Sequence, residues 1–214
     1  MNKAKLFKLK CVAKSFMANE RIKTKENLDI FDNSIRKAYF NFCRTMKYKD
    51  EKISENVKEE CLCKTKKLIR AEVTDMLALN LNIQKYDEWH EKLCTSLEKT
   101  FTAYHIGFCV GKSQKWVNMT IKYLFALDDN DKFKMGNKLS NFHVPIDRIV
   151  INLAENKLGI KRPNTAWSKI EKYSTYLRYQ NNVRDVLQAK DFVPLKWEFY
   201  AWHEQSNNSV TAGL

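Results

Sequence analysis

The feature that most constrains this chain is where its glycines fall. Only five occur in 214 residues, and two of them, Gly107 and Gly111, stand four apart within YHIGFCVGKSQKWVNMTIKYLFAL. Backbone freedom concentrated in this way predicts a tight connection that uses φ > 0. The flanking residues keep helical spacing. The stretch therefore reads as a helix that ends near Tyr104, a turn from Gly107 to Gly111, and a second helix opened by Lys112 and Ser113.

In that second helix Val117, Ile121 and Leu124 form an apolar stripe, and Lys115, Asn118 and Lys122 lie on the opposite side. This pattern predicts one packed face and one face that meets water or an anion. Further on, SNFHVPIDRIVINLAENKLGI predicts another helix, with Pro145 at its first position, Asp147 in its first turn and Gly159 at its end. Earlier segments carry apolar residues at the same period. A helix introduced by Asp32 carries Ile35, Tyr39, Phe42 and Met46, and a charged helix over 53–79 turns Val57, Leu62, Leu68, Val73 and Leu77 inward. A third, entering the hairpin, does so with Trp89, Leu93, Leu97 and Phe101. The basic segment 1–30 reads as a partly ordered surface arm. No stretch alternates as a strand would, so the chain is expected to be all-α.

A glycine hairpin, a lysine near the start of the following helix and an aspartate in VPID resemble the helix-hairpin-helix DNA glycosylases. The branch most resembled is that of the archaeal 8-oxoguanine DNA glycosylases. Lys115 and Asp147 are 147 − 115 = 32 positions apart, similar to the long separation of that branch. The resemblance spans residues 100 to 205. It departs from the usual G-x-G-x-K pattern, because Gly111 precedes Lys115 by four positions, and this leaves Lys112 as a rival nucleophile.

What the resemblance implies is an all-α fold of two helical lobes around a cleft, with a helix-hairpin-helix DNA-binding element. Residues 1–205 would be one domain and 206–214 a frayed tail. The catalytic pair would be Lys115 and Asp147, and Gly107, Gly111, Lys112 and Ser113 would hold DNA phosphates. The base pocket would draw on Met119, His143, Glu198 and Trp202. The last two lie one helical turn apart in WEFYAW, so a carboxylate could read a base edge while the indole supports its face. The partner would be double-stranded DNA carrying a modified base, bound by a monomer, with no cofactor and no metal. The excised base would be 8-oxoguanine-like. The alternative is a hypermodified phage-type cytosine, which would imply antiviral defence.

The chemistry suits these residue types. Breaking an N-glycosidic bond develops positive charge at C1′, so a neutral lysine amine can attack there and an aspartate can stabilise the cation. Each residue also has a plain structural reading. Lys115 could contact phosphate or water, Asp147 could complement a helix dipole, Met119 could be core, and Glu198 could be an exposed acid beside a core tryptophan. His143 could be a satisfied structural histidine.

Charge and cysteines narrow the classes further. Thirty-eight basic against 25 acidic residues give a net charge of +13, which favours a polyanion: nucleic acid first, an acidic protein or lipid headgroups otherwise. A non-catalytic helical DNA-binding protein would have the same charge. The six cysteines lack a CxxC pair and none follows Cys109. A disulfide framework, a structural zinc site and a C-terminal iron–sulfur loop are therefore not expected. The lysine-rich start has no apolar core behind it and no run is long enough to span a membrane, so the expected location is inside the cell, with DNA.

Overall fold

The computed structural model describes residues 3–18, 25–46 and 53–211. Among them the architecture is all-α, with no strand. The helices are α1 (Lys3–Ala18), α2 (Ile30–Phe40), α3 (Glu55–Ala78), α4 (Ile83–Ala103), α5 (Val110–Leu127), α6 (Arg148–Leu158), α7 (Tyr173–Gln188) and α8 (Pro194–Thr211). No described helix is long and apolar enough to cross a membrane.

Capping side chains fix several boundaries. Asp29 caps α2 by accepting from the Asp32 amide, Ser54 caps α3 and Asn82 caps α4. The cap of α2 is thus three residues earlier than expected, with Asp32 inside the first turn. Pro145 likewise does not open α6. Asp147 is the cap of that helix, its side chain accepting from the Val150 amide, and Gly159 closes it at φ 69.

Helix α5 is the axis of the molecule, flanked by α1, α2, α4 and α7. Every residue from Val110 to Ala126 is buried. The expected wet face of α5 is therefore covered by protein, because other helices surround it. The basic N-terminal segment also differs from the expected surface arm. Its residues Lys3–Ala18 form α1, whose Leu9 and Ala13 are fully buried. Lys10 Nζ donates to the carbonyls of Phe125 and Asp128 at 2.7 and 2.6 Å, satisfying acceptors left open where α5 ends.

The apolar interior divides into two clusters. One gathers α1 to α5 with Leu195 and Phe199 of α8. The other gathers Val144, Ile146, α6 and α7 with Trp197 and Ala201 of α8. Trp202 packs against both. Helix α8 continues to Thr211, through most of the stretch read from sequence as a frayed tail, and residues 212–214 lie outside the described residues.

Candidate active site

The connection between α4 and α5 is built differently from the glycine-led expectation. The residue with positive φ is His105, at 57°. Its amide donates to Thr102 O, and the Ile106 amide donates to Phe101 O. These are the two bonds of a Schellman closure, with buried Ile106 as its apolar contact. Gly111 is needed for close approach instead. A Cβ there would lie 1.8 Å from the Trp167 carbonyl oxygen, and the Gly111 amide donates to Ile170 O at 2.9 Å.

The first amides of α5 are already used. Besides Gly111, the Lys112 and Ser113 amides donate to Cys109 O at 2.9 and 3.0 Å. Ser113 is fully buried, with its hydroxyl on the same carbonyl. Lys112 Nζ folds back onto Gly107 O at 3.1 Å. Gly107, Gly111, Lys112 and Ser113 therefore hold the hairpin together and do not present a row of open anion-binding donors.

The segment carrying Asp147 lies against α5 and α7 by an arrangement that spacing alone does not reveal. Pro145 has no amide hydrogen and keeps Val144 extended, so this strap cannot join a helix. The backbone groups of Val144 and Ile146 are instead taken by glutamine side chains. Gln114 donates to Ile146 O at 2.8 Å and accepts from Ile146 N at 3.1 Å. Gln180 grips Val144 in the same way, at 2.7 and 3.2 Å. Each buried amide thus acts like a short piece of neighbouring strand, leaving no backbone group of these two residues unpaired.

This grip aims Asp147 at α5. Asp147 Oδ2 lies 2.5 Å from Lys115 Nζ, with side-chain exposures of 19% and 4%. Its other oxygen accepts from the Val150 amide at 2.8 Å. Burial pushes the Asp147 carboxyl up, but the Lys115 ammonium, its hydrogen bond, the Val150 amide and Lys122 together hold it below the usual carboxylate range. An ionised carboxylate is thus fixed against an amine in a nearly dry site.

Seven residues after Lys115, two turns further along the same face, Lys122 Nζ meets Glu198 Oε1 at 2.6 Å with 1% exposure on both sides. Lys122 also lies 5.0 Å from the centre of the Phe199 ring and 5.9 Å from that of Trp202. Burial lowers the pKa of Lys122 and raises that of Glu198, pushing both towards their neutral forms. Glu198 is therefore not the exposed acid of the plain reading, nor is it open to a base edge. One oxygen is held by Lys122 and the other, Oε2, is buried with no partner among the described residues. Met119 is buried on α5 between the two lysines.

His143 is part of a different assembly. Its Nε2 meets Asp87 at 2.7 Å and its Nδ1 meets the Tyr176 hydroxyl at 2.7 Å. Tyr176 in turn accepts from Asn118, which contacts His90. Arg184 clamps both oxygens of Asp87. Burial pushes the His143 pKa down to about 4. This histidine is sequestered in a polar network, and its hydrogen bonds among the described residues go to Asp87 and Tyr176 and not to Lys115 or Asp147.

The residues missed from sequence are Gln114, Gln180 and, as the partner of Glu198, Lys122. The only available hint was the presence of Gln114 and Lys122 on helix turns flanking Lys115, since a distant glutamine carries no signal of its strap. Among the described residues no group of three or more His, Cys, Asp or Glu side chains could hold a metal ion. No protein-family model, curated protein or solved structure matches this chain.

Proposed function

We propose that this chain is a DNA glycosylase with associated strand-nicking lyase activity, working through Lys115. The observation that carries the reading is the 2.5 Å approach of the Lys115 amine to an ionised Asp147 at the head of α6. The two apolar clusters are read as two lobes, and α4, its Schellman turn and α5 as a helix-hairpin-helix element.

In this scheme Lys115, after losing a proton to solvent, attacks C1′ of an extruded nucleotide. The C1′–N bond breaks and the base leaves with its electron pair, taking up a proton from water. Loss of a proton from the nitrogen and opening of the sugar ring give a Schiff base. Removal of a C2′ proton then expels the 3′ phosphate by β-elimination. Asp147 supplies fixed negative charge opposite the cation that develops at C1′, without having to reorganise. Lys112 is the weaker nucleophile because its amine is tied to a backbone carbonyl and makes no ion pair with a carboxylate among the described residues.

Borohydride trapping on duplexes carrying 8-oxoguanine or modified cytosines tests this directly. The wild-type chain should become covalently linked to one of them. Lys115→Gln should abolish the product and Lys112→Gln should keep it, and the reverse pattern would reassign the nucleophile. The second reading is a non-catalytic DNA-binding protein in which Lys115–Asp147 is a structural ion pair, as its burial favours. Salt-sensitive DNA binding without trapping on any substrate would support it.

A further inference from the structure

The connection from α6 to α7 and the outer face of α7 enclose a groove of about 400 Å³. Its lining includes Lys161, Arg162, Thr175, Arg178, Tyr179 and Asn182. Arg162 is held by Glu155 at 2.5 Å, whereas Lys161 and Arg178 make no ion pair among the described residues. Tyr179 is 5% exposed, and its buried hydroxyl has no hydrogen-bond partner among the described residues. Burial and Glu155 push that phenol up to about 12, so it remains a donor at neutral pH. A buried hydroxyl with no acceptor, beside two unpaired cations and an amide, lacks an anionic oxygen.

The same connection leads from the groove to the hairpin. It turns through Trp167–Lys169, where Ser168 O accepts from Cys109 Sγ and Ile170 O accepts from the Gly111 amide. Arg178 lies in this groove, while Asp185 lies in another groove with Asp87, Glu88, Glu91 and Asp191, where Arg184 is the one cation in the lining and is already paired with Asp87. A polyanion would be drawn to the first and repelled by the second.

We infer that the groove bordered by Lys161, Arg178 and Tyr179 is a phosphodiester subsite, which holds the backbone of the bound nucleic acid away from the reacting nucleotide. This rests on the reading of the chain as a DNA-acting protein. Helix α6, 11 residues long, separates Asp147 from the groove. At about 1.5 Å per residue that is roughly 16 Å, or about five base pairs of rise along a duplex.

Fluorescence anisotropy with an undamaged duplex, titrated over a range of salt, tests the subsite without requiring excision. In Lys161→Gln/Arg178→Gln the slope of log K against log salt should become shallower by about 1.8, two phosphate contacts at about 0.9 each. Lys66→Gln/Lys67→Gln, on α3, should keep the wild-type slope. Tyr179→Phe, which retains the ring, should weaken binding about tenfold at fixed salt, as loss of a hydrogen bond to a charged group requires. An unchanged slope in the Lys161/Arg178 variant, an equal decrease in the α3 variant or undiminished affinity in Tyr179→Phe would overturn the subsite. Binding that follows these expectations without any borohydride trapping would leave the subsite standing and remove the glycosylase.

Discussion

The Lys122–Glu198 pair permits the sharpest test, because it separates structural from base-reading roles. Both side chains are 99% buried, and Glu198 Oε2 has no partner among the described residues. Glu198→Leu would leave the Lys122 ammonium without its carboxylate, and removing one member of a buried pair destabilises by about 3–5 kcal/mol. With a urea dependence of about 2 kcal/mol per molar, the unfolding midpoint should fall by roughly 1.5–2.5 M. Burial already lowers the Lys122 pKa, so the loss should be nearer the lower end at alkaline pH, where that lysine can shed its proton. Lys122→Met/Glu198→Leu fills the same volume without charge, and Phe199 and Trp202 offer apolar contacts. Its stability should return to within about 1–2 kcal/mol of wild type, or exceed it. Urea melts followed by tryptophan fluorescence provide the measurement. A double variant as unstable as Glu198→Leu would refute the ion-pair reasoning. A stable double variant that had lost its rank order of excised bases would make the pair the reader of the base.

Three further outcomes follow from the site. Asp147→Asn should keep α6 capped, since asparagine caps as well as aspartate, while excision slows by about 10²–10³; unchanged single-turnover kinetics would reduce Asp147 to a capping residue. Gly111→Ala forces a methyl group against the Trp167 carbonyl and should destabilise by about 3 kcal/mol in denaturant melts; an unchanged midpoint would show that the α6–α7 connection can retreat from it. Stability should also fall with acidity. His143 is neutral in the folded chain, its pKa pushed by burial from 6.5 to about 4, so the unfolded chain binds more protons between those values. Its contribution is complete above pH 6.5 and is lost progressively down to about pH 4, roughly 3 kcal/mol in all; a His143→Gln variant whose melts showed the same pH dependence would assign that loss to other groups.

Periodicity made the helical class readable because each helix buries a stripe, and the stripe repeats every 3.6 residues whatever it packs against. Leu93, Leu97 and Phe101 of α4, and Val73 and Leu77 of α3, are buried as that period requires. The resemblance to the helix-hairpin-helix glycosylases singled out Lys115 and Asp147, two residues that the fold brings into contact. Local chemistry was also legible where it is self-contained, as with Gly159, which closes α6 in the left-handed region.

What sequence left undetermined was what each polar side chain would face. Lys122 and Glu198 are 76 positions apart, and Gln114 and Ile146 are 32 apart; nothing local distinguishes a buried partner from a solvated charge. The burial of α5 on all sides came from its neighbours, so its lysines looked wet in the sequence and are dry in the fold. The hairpin shows the same division. Two glycines marked a tight place, but whether they were needed for φ or for space depended on the Trp167 carbonyl, 56 residues beyond Gly111, and only the tertiary structure sets that distance.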